Sequence, residues 1–182
     1  MTSIEDLVNA LKRIQGLKDD LSKKIFASTV AHVLIAMFEF FEANIEKLLD
    51  DAVIQGWVKD FLQKNNITWE DIQKMRRRDL ITLILRVLEE HSDEVDLSIS
   101  LKKAPKSVKF LIKALRGIVR RLTKDKSPEE LWCKINEYLD KYVDSRELKK
   151  RFEYYRKVCP NLMKKTFMWF LNSCKKIPLQ KQ

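Results

Sequence analysis

The sequence predicts an all-α protein, a multi-helix bundle of about seven to nine helices. Three observations carry this. Apolar residues recur at three- and four-residue spacing along nearly the whole chain. Capping signals recur too, with Ser, Thr or Asp followed three residues later by an acid. Glycine occurs only three times in 182 residues, against a usual share of about 7%. That scarcity excludes Gly-rich phosphate loops, dinucleotide-binding turns and turn-dense β-sandwiches. Hydrophobic residues at 45% and charged residues at 34% fit a folded chain with a real core.

The elements follow in order. Ile4, Leu7, Leu11, Ile14, Leu21 and Ile25 form a heptad seam that Lys18 breaks once, and Ser3 with Asp6 supplies its cap. A second helix is expected over 23–50. Its first half is apolar on nearly all sides, which predicts a central position. The uncharged stretch 25–38 is fourteen residues long. A membrane span needs about 20, so this segment reads as a core helix. A third helix over 51–64 carries Val53, Trp57, Phe61 and Leu62, and Gly56 within it suggests a close helix contact. Thr68 caps a short helix with Asp71, and an apolar helix over 80–90 follows Arg76, Arg77 and Arg78.

Residues 95–101 alternate Val95, Leu97, Ile99 and Leu101 with polar residues, the period of a strand. An extended linker lying on a helical surface and a β-pair across a dimer both fit. Beyond Pro105, Ser107 caps a helix over 108–124, and Ser127, Pro128 and Glu130 start another. Asp144 and Glu147 form a capping box for the next helix, and Cys159-Pro160-Asn161 ends it before a last helix over 162–175. The organisation expected is an acidic helical bundle over 1–94, a linker over 95–106 and a basic helical half over 107–182. One shared core and two helical subdomains joined by an extended segment both remain open.

Charge separates these halves. Residues 1–101 carry 13 Lys+Arg against 18 Asp+Glu, while residues 102–182 carry 23 against 8. The net charge therefore runs from −5 to +15 along the chain. Such asymmetry points to a partner for the charged half. The densest run holds Lys102, Lys103, Lys106, Lys109, Lys113, Arg116, Arg120, Arg121, Lys124 and Lys126, with Asp125 as its one acid. At about 100° per residue, Lys109, Lys113, Arg116, Arg120 and Lys124 fall within an arc of roughly 80°. Val108, Leu111, Ile112, Leu115, Ile118, Val119 and Leu122 lie opposite. Like charges at this spacing weaken an isolated helix by about 0.2–0.5 kcal/mol per pair, which a polyanion would relieve. A second basic face is expected from Arg146, Lys149, Lys150, Arg156 and Lys157 on the helix after residue 145.

The function these features predict is a non-catalytic nucleic-acid-binding protein or accessory subunit. It would contact phosphates of DNA or RNA, mainly sequence-independently. The three-residue turn at 143–145 fits a helix-turn-helix and equally a plain αα-hairpin. Nine of the 17 aromatic residues lie between Trp132 and Phe170, mostly on core faces. Tyr154 is the one expected between the basic faces, where it could stack on a base. The alternative is a helical protein-interaction module, with the heptad seam and acidic surface of the first half serving self-association or docking. A membrane-surface helix over 108–124 is a third possibility, though that segment has no Trp.

Enzyme chemistry finds little support. There are only two histidines. His32 is expected as a packed core residue and His91 as a solvated one. Glu39, Glu42 and Glu46 read as a solvated face, and Asp144, Glu147 and Lys149 are explained by capping. No metal ligand set or cofactor motif occurs, and none is expected to be bound. Cys133, Cys159 and Cys174 are odd in number without close spacing, which predicts buried or half-buried thiols in a reducing compartment. Residues 1–6 have neither a basic nor an apolar signal region, so an intracellular protein is expected, cytoplasmic or nuclear.

Overall fold

The computed structural model describes residues 20–96, 106–123 and 126–176. Among them are nine helices and no strand. They are α1 Asp20–Ala43, α2 Ile45–Leu48, α3 Ala52–Lys64, α4 Trp69–Lys74, α5 Arg77–Glu90, α6 Lys106–Thr123, α7 Pro128–Tyr142, α8 Arg146–Val158 and α9 Pro160–Lys176. The fold is an all-α multi-helix bundle. The heptad seam before Ile25 falls largely outside the described residues, as does most of the alternating segment 95–101.

The bundle is arranged around α1. Val33 and Ile35 lie about 160° apart around this helix, and they are 0% and 4% exposed. An apolar residue on every side of a helix needs a neighbour on every side. Those neighbours are α6, α7, α8 and α9, all from beyond the linker. By length and composition α1 could cross a membrane from Lys23 to Ala43, yet most of that span is covered by protein. The second central element is α9, which packs against α1, α5, α6, α7 and α8. Leu162 and Met163 are fully buried in it, and Phe167 and Phe170 are 1% exposed. Phe167 meets Trp132 of α7 at 5.2 Å between ring centroids, and Phe38 of α1 meets Tyr155 of α8 at 5.0 Å. One continuous core thus draws on residues from both sides of the linker.

Several helix ends depart from expectation for local reasons. The long second helix stops at Ala43 because the Asn44 side chain donates to the Phe40 carbonyl at 2.8 Å. That bond competes with helix continuation, and a single turn, α2, follows. The cap of α8 is Ser145, whose hydroxyl accepts from the Leu148 N–H at 3.3 Å. Asp144 is instead paired with Lys24 of α1. Pro160 opens α9 rather than ending α8, a favoured place for a residue without an N–H. The capping box of Thr68 and Asp71 is present, with bonds of 3.2 Å and 2.8 Å. It holds the Asp71 carboxyl below its usual range, chiefly through the Thr68 backbone N–H. Ser127 caps α7 as expected.

The two halves also cap each other. The Glu89 carboxylate, at the end of α5, accepts from the N–H groups of Asn161 and Leu162 at 2.5 Å and 3.2 Å. It thereby closes the N-terminus of α9. Burial raises the Glu89 pKa, and the two N–H groups offset this only in part. One turn into α9, the Lys165 ammonium donates to the carbonyls of Ser92 and Val95 just after α5. A carboxylate thus sits on a helix start and an ammonium on carbonyls beyond a helix end, as the helix dipoles favour.

The small outer helices are less buried than their sequence suggests. In α3 only Ile54 is buried; Trp57, Phe61 and Leu62 are partly covered and Val53 is 60% exposed. Gly56 is exposed, and a Cβ there would meet nothing within 4 Å. Its expected close helix contact is therefore absent. His91 is half-buried rather than solvated, stacked on Trp57 with centroids 4.2 Å apart and planes 3° from parallel. His32 is half-buried on α1, and that burial lowers its pKa below 6.5. Cys159 is buried, which raises its thiol pKa and keeps it protonated. Cys133 is exposed, against expectation.

Three outcomes follow. Glu89→Ala removes the cap between the halves and should destabilise the protein by about 1–2 kcal/mol in urea unfolding. An unchanged midpoint would show that the cap contributes nothing. Gly56→Ala adds a methyl in open space in mid-helix and should stabilise by about 0.5–1 kcal/mol; a loss would reveal a contact at this surface. For His32, the folded pKa lies below the unfolded value near 6.5. The unfolded chain then takes up the proton first as pH falls, so the stability of the neutral form is full above about 6.5 and lost below it. His32→Gln should therefore lose less melting temperature than wild type between about pH 7 and about pH 5. Equal slopes would show that His32 titrates as if in water.

Candidate nucleic-acid interface

The cations predicted to bind phosphate divide into three groups. Lys106, Lys109 and Lys113 on α6 are exposed. They lie at i, i+3 and i+7, on one side of the helix. No acid occurs anywhere between Lys106 and Thr123. Among the described residues none of the three has a carboxylate within ion-pair distance. On α8, Arg146, Lys150 and Lys157 are exposed and Lys149 is half-buried. Lys102, Lys103, Lys124 and the side chain of Arg121 lie outside the described residues.

The third group is withdrawn into the protein. Arg116 is 7% exposed, which corrects its expected place on the surface stripe. On the helical wheel it sits at the edge of the basic arc, about 40° from Ile112. Ile112 is itself 6% exposed, so the seam that buries it takes in Arg116 too. A long alkyl stem makes that burial tolerable. Arg120 is half-buried and engaged within the protein. Arg156 is held by Asp140 at 3.0 Å and by the Asn136 amide oxygen at 3.2 Å, both on α7. Its guanidinium also lies 5.6 Å from the Phe152 ring centroid. It ties the α7–α8 hairpin together, which corrects its expected place as a free cation.

Acids of the first half explain why certain arginines are spoken for. Glu42, whose side chain is 11% exposed, takes Arg78 at 3.2 Å. Glu39 faces Arg151 of α8 as an ionic contact rather than an aligned hydrogen bond. Glu46 lies 3.8 Å from Arg77. Glu42 and Glu39 are therefore a docking edge for α5 and α8 rather than a free solvated face, while the Glu46 side chain, 81% exposed, is solvated as expected. Tyr154 belongs to the same cluster. Its hydroxyl bonds to that of Thr82, and Arg78 covers its ring at 4.2 Å. With its hydroxyl bonded and one ring face covered, Tyr154 is not the base platform the sequence suggested. Burial and the Glu42 carboxylate raise the pKa of the adjoining Tyr155, which stays a neutral phenol.

One residue at the α6 face was missed from sequence. Phe110 is 60% exposed, one of three large apolar side chains so placed among the described residues. It stands at i+4 from Lys106 and i−3 from Lys113, at the edge of the lysine patch. The signal was available, because the wheel puts Phe110 about 40° from Lys106 and roughly 100° from Leu111. The described apolar residues at the middle of the opposite face of α6 are already used: Leu111, Ile112 and Leu115 are 1%, 6% and 0% exposed. A helix lying on a membrane needs that face free, which weighs against the membrane alternative.

Both α6 and α8 pack on α1 and α9, but α6 also meets α7 while α8 also meets α5. A gap of about 10 Å³ beside Lys149, between α1, α7 and α8, has room for one water at most. No cluster of three or more potential metal ligands occurs among the described residues. Comparison with family models, curated proteins and solved structures finds no match to this chain.

Proposed function

We propose that the protein binds nucleic acid through phosphate contacts, mainly without sequence preference, as a non-catalytic protein or accessory subunit. The observation that carries this is the selective pairing of charge. The acids of the first half and of α7 hold Arg78, Arg151 and Arg156. The lysines of α6 stand exposed on a helix without a single acid. Unmixed exposed lysines are costly to keep adjacent unless an anion relieves them, and phosphates do so with release of counterions. The exposed lysines of α8 would add to affinity from a second position.

A compatible second role is docking to a protein partner. Exposed Val53 on α3 and Trp69, 69% exposed at the start of α4, favour it. Both lie away from the α6 face in sequence and belong to the acidic half.

A salt titration with random-sequence duplex DNA tests the main proposal. Replacing Lys106, Lys109 and Lys113 together with Gln should reduce the magnitude of the slope of log K against log salt by nearly 3. Affinity should fall equally for unrelated sequences. No binding by the unsubstituted protein to duplex or to single strands at low salt would refute the proposal. An unchanged slope in the triple variant would remove α6 from the contact.

A further inference from the structure

We propose that Phe110 is a stacking platform for an unpaired base, so that the α6 face takes single-stranded nucleic acid in preference to duplex. The inference rests on the nucleic-acid function proposed above and narrows its substrate class. Phe110 is 60% exposed although Lys106 and Lys113 stand one turn away on either side. Their alkyl stems therefore leave much of the ring uncovered. Gly117 continues the same stripe with no side chain, and a Cβ there would meet nothing within 4 Å. The face thus offers an open ring, lysines along one side of it and open space at Gly117.

Those features match one ligand chemistry. A single strand carries phosphates and accessible base faces together, and stacking on an aromatic ring is tolerant of sequence because every base has a π-face. In a duplex the base faces are occupied by their neighbours, leaving only the phosphates for the lysines. A protein partner would be expected to cover a contiguous apolar patch. Here a single ring is flanked on one side by lysines, and its neighbour Leu111 is already buried. Charge complementarity therefore selects a polyanion, and the ring selects one with exposed bases.

The test uses the full-length protein with an oligothymidylate strand, an oligouridylate strand and a duplex of equal length. Phe110→Ala should weaken binding to both single strands by about tenfold, with unchanged duplex affinity and an unchanged salt slope. Phe110→Tyr keeps a ring and should retain strand affinity. Because Phe110 is exposed, the fold should survive, which circular dichroism checks. Equal effects on strand and duplex, or none on either, would overturn the stacking role while leaving phosphate binding intact. Strand affinity kept in Phe110→Ala while sedimentation with phosphatidylserine vesicles is lost would assign the ring to a lipid surface and overturn the inference. Failure of the unsubstituted protein to bind either form would overturn both proposals together.

Discussion

The structure depends on covering α1. A helix with fully buried residues on several sides cannot stand at the edge of a bundle. Among the described residues of its own half, α3 and α4 are short and largely exposed. The helices after the linker must therefore close over it, and they do so as α6, α7, α8 and α9. Each fully buried side chain of Leu or Phe size contributes about 1.5–3 kcal/mol. The reciprocal contacts of Glu89 with α9 and of Lys165 with the end of α5 then set the alignment of the two halves.

Covering α1 also decides which charges remain. Its second half carries Glu39 and Glu42, and the helices that close over it answer those acids. Arg78 arrives on α5 and Arg151 on α8. Tyr154, Tyr155 and Thr82 complete this polar layer at the edge of the core. Among the described residues no acid forms an ion pair with Lys106, Lys109 or Lys113 of α6. Its exposed lysines are what is left after internal pairing, and the buried apolar seam on the opposite side fixes their direction. The surface that proposes a function is in this sense a by-product of how the core is sealed.

Much of the architecture was legible in the sequence. The helices from α3 onward were indicated by spacing, and the caps at Thr68 and Ser127 by local chemistry that needs no tertiary knowledge. Leu111, Ile112 and Leu115 were placed on the buried side of α6 by periodicity alone. What failed involved partners distant in sequence. Nothing near Tyr154 announces Thr82 or Arg78, and nothing near Arg156 announces that Asp140 lies within reach. Arg116 was misplaced because a wheel assigns direction but not the width of the buried seam. Asp144 was read as a cap because its nearest partner in space, Lys24, is remote in the chain. Phe110 was visible on the wheel and passed over, because aromatic residues elsewhere in the chain follow core faces.

The central claim is that the α6 face meets an unpaired nucleic-acid strand. Ultraviolet cross-linking of the full-length protein to oligothymidylate, followed by mapping of the joined peptides, tests it most directly. The account predicts cross-links in the peptide carrying Phe110, lost when the strand is annealed to its complement. Cross-links confined to α3 and α4, or equal yields from strand and duplex, would contradict it.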